Sequence, residues 1–171
     1  ARRAEALGLD SLWLSDHLFL DIAKYGGDDR RYGAFEPIAT LGALAAAVTR
    51  VRLGTLVICE ALRPPGVLAA ALATLDRVTG GRLDIGLGAG WYEREYAAYG
   101  YRFPDPPERL AVLEETVQVV RRLWSEETVT FDGHHLHLDG AYCDPKPVQQ
   151  QPEIWIGGGG ERVTLRIAAR H

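Results

Sequence analysis

One pattern limits what this chain can become: a short apolar run ending in glycine or polar residues, followed by a helical repeat, occurs four times. The runs lie at residues 10–14, 51–58, 82–87 and 153–156. Helical patterns separate and follow them. Glu36-Pro37-Ile38 opens the first, with Ile38, Leu41, Leu44, Ala45 and Val48 on one face, stopping near Thr49-Arg50. Pro64-Pro65 opens the second, with Leu68, Leu72, Leu75 and Val78 on its face and Gly80-Gly81 closing it. A third runs from about Glu108 to Trp124, with Leu110, Leu113, Val117, Val120 and Trp124 inward and Arg109, Glu114, Glu115, Arg121 and Arg122 mostly facing water. Strand then helix, repeated, predicts an α/β fold with a parallel sheet under covering helices, and such sheets bind ligands at the carboxyl ends of their strands.

Those ends are where the chemistry-bearing residues fall. The first carries Ser15-Asp16-His17, the second Ile58-Cys59-Glu60, the third Gly86-Leu87-Gly88-Ala89-Gly90-Trp91, and the fourth Gly157-Gly158-Gly159-Gly160. Glycines at 86, 88 and 90 let backbone N–H groups approach a flat or phosphorylated ligand, although the third glycine of the GxGxxG dinucleotide fingerprint is missing. Gly157 to Gly160 precede a helix, where unpaired N–H groups favour an anion and Arg162 can neutralise it. His17 can handle a proton near neutral pH, or simply cap a strand. Neighbouring strand residues face opposite sides, so Asp16 and His17 share a site only if the chain has already turned. Cys59 reads equally as a small buried residue. Glu60, Glu93 and Glu95 are expected at the surface.

Between the third and fourth runs, Asp132-Gly133 flanked by Val129-Thr130-Phe131 and His135-Leu136-His137-Leu138 predicts a hairpin with a tight turn. His135 and His137 would share a strand face, but no carboxylate or cysteine stands at ligand spacing, so no metal site is expected. A length of 171 residues with 47% hydrophobic and 25% charged content fits one domain with a real core. A net charge of −4 provides no basic field for nucleic acid, and neither end has the apolar run of ~18 residues that a membrane span needs. Two cysteines and no signal-peptide pattern make a reducing cytoplasm the expectation. The first residues read as the end of a helix capped by Gly8, and the last as a helix without a terminator.

Taken together, Ser15-Asp16-His17, Leu53-Gly54-Thr55, Thr79-Gly80-Gly81-Arg82, Gly86 to Trp91, Lys146-Pro147-Val148-Gln149 and Trp155-Ile156-Gly157-Gly158-Gly159 resemble the bacterial luciferase-like family. They are most similar to its deazaflavin-dependent branch, which uses coenzyme F-420. The resemblance implies a (β/α)8 TIM barrel, of which this chain would hold strands two to five with their helices and a hairpin insertion. It implies one domain over residues 1–171, truncated at both ends, from a homo-oligomeric enzyme. It further implies a flavin- or deazaflavin-dependent oxidoreductase, moving a hydride or activating oxygen on a small-molecule substrate, with coenzyme F-420 or alternatively FMN bound. His17, with Asp16 less securely, would be catalytic. Ile58, Cys59, Gly88, Ala89, Gly90, Trp91, Gly157, Gly158, Gly159, Gly160 and Arg162 would bind the cofactor. A non-proline cis peptide is implied near Val57, Ile58 and Cys59. Some members of the branch carry an acidic residue where Trp91 stands, which leaves a second acid unassigned.

Two other functions compete. The segment from Leu83 to Gly90 also resembles the nucleotide loop of S-adenosylmethionine-dependent methyltransferases, which need it early in the chain, whereas two strand–helix units precede it here. A non-catalytic flavin-binding barrel is the other, since a fold does not fix a function.

Overall fold

The computed structural model describes residues 1–28 and 30–171. The chain begins with α1 (Arg2–Ala6), β1 (Ser11–Leu14) and a small antiparallel hairpin of β2 (Phe19–Asp21) and β3 (Arg31–Gly33), followed by α2 (Pro37–Ala45). Next come β4 (Arg52–Thr55), β5 (Ile58–Cys59), α3 (Pro65–Thr79), β6 (Leu83–Gly88) and α4 (Glu93–Tyr99). The remainder is α5 (Pro106–Ser125), the hairpin β7 (Val129–Asp132) and β8 (His137–Ala141), β9 (Ile154–Gly157) and α6 (Val163–Arg170). Local chemistry sets the helix ends. Glu36 accepts the N–H of Ala39 at 2.6 Å to start α2, Asp105 accepts that of Glu108 at 3.1 Å to start α5, and Gly80, with φ +67°, ends α3 in the left-handed region.

The parallel sheet is the one the sequence predicts, with one difference. β1 pairs with β4, β4 and β5 both pair with β6, and β6 pairs with β9 on its other side, all in parallel. The run expected as one strand over 51–58 is thus two pieces, separated at a cis peptide between Leu56 and Val57. Thr55 bridges the break. Its hydroxyl donates to Gly86 O at 3.0 Å and accepts from Gly86 N at 2.9 Å, so a side chain replaces the ladder bonds where the backbone leaves register. Along β6, Leu83, Ile85 and Leu87 turn to the helices and are essentially inaccessible, as are Leu68 and Leu72 of α3 and Leu113, Val117 and Val120 of α5. Asp84, Gly86 and Gly88 take the opposite, concave face. On that face β1 and β9 approach each other, and Trp13 meets Trp155 edge-on with centroids 5.8 Å apart.

Three expectations are corrected. Val78 is exposed, and the buried face of α3 runs instead through Asp76 and Thr79. The fully buried Asp76 accepts the N–H groups of Val148 (2.7 Å) and Gln149 (3.0 Å) and the Gln149 side chain (2.7 Å), so this carboxylate holds the Lys146-Pro147-Val148-Gln149 motif in place. The Asp132-Gly133 hairpin forms, but its turn takes residues 133–136, because Glu115 of α5 accepts N–H groups from His134, His135 and Leu136 at 2.7–3.0 Å. A turn wrapped on a carboxylate wins over the two-residue turn, and His134 and His135 therefore lie off the strand. No group of metal-ligating side chains suited to an ion, and no helix able to cross a membrane, occurs among the described residues.

Candidate active site

The carboxyl ends of β1, β5, β6 and β9 surround a cavity of about 490 Å³. Its wall includes Asp16, His17, Cys59, Gly88, Ala89, Gly90, Trp91 and Gly157 through Gly160, so most of the sequence-derived candidates come together. Ile58 and Arg162 do not. Ile58 is sealed in the core between sheet and helices, and Arg162 is exposed at the start of α6.

Asp16 and His17 both reach the cavity wall because β1 ends at Leu14 and the chain has turned. They do different work. Asp16 is 4% exposed, and its carboxylate accepts the Cys59 N–H at 2.9 Å and both terminal nitrogens of Arg63 at 2.6 and 3.0 Å. Arg63 also grips Glu36, the cap of α2. The three bonds to Asp16 tie β1 to the β5 end and occupy most of the carboxylate's acceptor sites, although Asp16 still lines the cavity.

His17 points its Nδ1 at Glu95 Oε2, 2.8 Å away. Glu95, expected at the surface, is 3% exposed, and its other oxygen accepts the N–H groups of Leu18 and Phe19. The signal was present in the sequence. Tyr92, Glu95, Tyr96 and Tyr99 recur at helical spacing, which puts Glu95 inside an otherwise aromatic stripe whose members Tyr92 and Tyr96 are also buried. Trp91 stands edge-on to His17 with centroids 5.7 Å apart.

Beneath this lies a second polar layer. Cys59 Sγ and the Tyr96 hydroxyl are 3.0 Å apart, and burial pushes the thiol up to about 11 and the phenol well above its usual value. Both stay protonated at neutral pH. Glu60 is buried too, against expectation. Desolvation raises its carboxyl to about 7, with Arg109 opposing the shift.

The glycines have a packing reason that the sequence did not show. A Cβ at Gly88 or at Gly157 would lie 2.7 Å from a Val57 methyl, and one at Gly86 would lie 2.2 Å from Thr55 O. One at Gly90 would lie 1.9 Å from the Tyr96 hydroxyl. Gly88 and Gly157 therefore make room for the bulge residue Val57, Gly86 for the Thr55 carbonyl as well as Val57, and Gly90 for Tyr96. The next glycines, just after β9, are less enclosed. The N–H groups of Gly158, Gly159 and Gly160 take no hydrogen bond among the described residues, and a Cβ at Gly159 would meet open space.

A profile of the family described as luciferase-like monooxygenase matches residues 1–171. The chain belongs to the luciferase-like monooxygenase family. Within it, the chain is 41% identical over 165 residues to an F420-dependent glucose-6-phosphate dehydrogenase of Kineococcus radiotolerans, covering 96% of this chain and 47% of that protein. Among solved structures it is similar to the monooxygenase RslO1 of Streptomyces bottropensis, with TM-score 0.80, 30% identity, and 98% and 48% of the two chains covered. It is likewise similar to an F420-dependent secondary alcohol dehydrogenase in complex with an F420-acetone adduct, with TM-score 0.80, 28% identity, and 98% and 56% covered. The chain thus spans about half the length of the luciferase-like relatives it matches. Its five-stranded parallel sheet with covering helices is a partial TIM barrel.

Proposed function

We propose that this chain supplies half of the active site of a deazaflavin-dependent oxidoreductase that moves a hydride between coenzyme F-420 and a small hydroxyl-bearing substrate or its carbonyl product. The observation that carries this reading is His17, an imidazole held on the wall of a 490 Å³ cavity into which four strands open. The residues fit such a cofactor: unpaired N–H groups at Gly158, Gly159 and Gly160 suit an anionic tail, and the Val57 side chain gives an apolar floor beside Gly88 and Gly157. When bound, the deazaflavin supplies the two-electron acceptor that no side chain can provide. As the carbon–hydrogen bond gives up its hydride, the hydroxyl proton goes to His17 and a carbonyl remains. Trp91 and Tyr92 shield that exchange from water on one side.

The names of the luciferase-like relatives support the deazaflavin. A second reading, oxygen activation with FMN, is favoured by the likeness to RslO1. A methyltransferase fits less well, because the glycines of its supposed nucleotide loop are filled by Val57 and Tyr96. The test is a titration of the full-length enzyme with deazaflavin, FMN and S-adenosylmethionine, followed by cofactor absorbance and by calorimetry. Deazaflavin binding with bleaching on addition of alcohols is the expected result. Binding of S-adenosylmethionine alone would overturn the proposal.

A further inference from the structure

We infer that Glu95 is a positioning residue that fixes the tautomer of His17, and so fixes which ring nitrogen receives the proton. This rests on the reading of His17 just given. A carboxylate oxygen accepts, so the hydrogen in the 2.8 Å contact between His17 Nδ1 and Glu95 Oε2 sits on Nδ1. The neutral ring then has a bare Nε2, which takes no hydrogen bond among the described residues and belongs to a side chain lining the cavity. A proton acceptor is thereby offered to the substrate and a donor is withheld.

Glu95 is itself fixed. Its Oε1 accepts the N–H groups of Leu18 and Phe19, the two residues after His17, and the side chain is only 4% exposed. The carboxylate and the segment that carries the imidazole are thus locked together, although they are 78 positions apart in the chain. The arrangement has the logic of a nucleophile's base oriented by a third group, here applied to a hydride-transfer partner.

The decisive substitution is Glu95→Gln. Leu18 and Phe19 demand an oxygen, which turns the new NH₂ toward His17, where it donates to Nδ1 and drives the ring hydrogen onto Nε2. Overall shape is kept while the tautomer inverts. In the deazaflavin-loaded enzyme, turnover should fall roughly 10²-fold or more, while the KM for substrate moves less than about threefold. Nitrogen-15 NMR of histidine-labelled protein reads the tautomer independently of activity: hydrogen on Nδ1 in the wild type, on Nε2 in the variant. Wild-type protein with the hydrogen on Nε2 would overturn the inference even if the variant failed to fold. So would an inverted tautomer with turnover within about twofold of wild type. His17→Ala separates the two claims. Full activity in that variant removes the role of His17 itself, whereas loss of activity there with an active Glu95→Gln removes only the role of Glu95.

Discussion

Val57 fills the space that a side chain at Gly157 would need: a Cβ there would lie 2.7 Å from Val57 Cγ1 and 2.8 Å from Cγ2. The bulge after β4 and the end of β9, about a hundred positions apart, are therefore fitted to each other at the floor of the cavity. Gly157→Ala should cost about 1–3 kcal/mol through overpacking and weaken cofactor binding. Adding Val57→Ala should restore much of the loss. Thermal melts of the two variants check this, and a double variant no better than the single would disprove the fit.

Asp16 joins the strand that carries His17 to the strand that carries Cys59, through Cys59 N–H and Arg63. Asp16→Ala leaves the Arg63 guanidinium with Glu36 as its remaining carboxylate and unpairs the Cys59 N–H. Leaving buried donors unsatisfied in this way typically costs about 1–3 kcal/mol. Denaturant unfolding should show a loss of that order. A loss under about 1 kcal/mol would mean that the brace is dispensable.

Glu60 gives the fold a pH dependence of known sign. Its folded carboxyl lies near 7 against 4.5 for the free group, so the folded state binds the extra proton. Below the unfolded value both states are protonated and nothing is lost. As pH rises from there through about 7 the folded state must bury a charge, and stability falls by something on the order of 3 kcal/mol. Glu60→Gln should flatten that decline, with its advantage greatest near pH 8 and absent near pH 4. Parallel melts across that range decide it, and identical profiles would rule out a titrating Glu60.

The outer edges of β1 and β9 take no ladder partner among the described residues, and Trp155 of β9 is 53% exposed. Produced alone, these 171 residues should self-associate through those edges and retain no cofactor. Sizing chromatography checks it. A monomer that melts cooperatively with deazaflavin bound would refute it.

The sequence by itself determined the elements and their order. Apolar periods, proline at helix starts and glycine at helix ends are local signals, and they placed α2, α3, α5, β6 and β9 within a few residues. The motifs also carried the family and put His17, Cys59 and the glycine loops at one end of a parallel sheet. Tertiary structure decided what each of those residues does. Glu95 looked like the exposed start of a helix until α4 packed against the segment after β1. The ties from Asp16 to Arg63 and the Cys59 N–H were not visible either. Glycines 86, 88 and 157 read only as open backbone until Val57 packed against them. In each case the deciding partner lies 29 to 100 positions away in the chain, and pairing at that range depends on how the sheet curls, which no local pattern encodes.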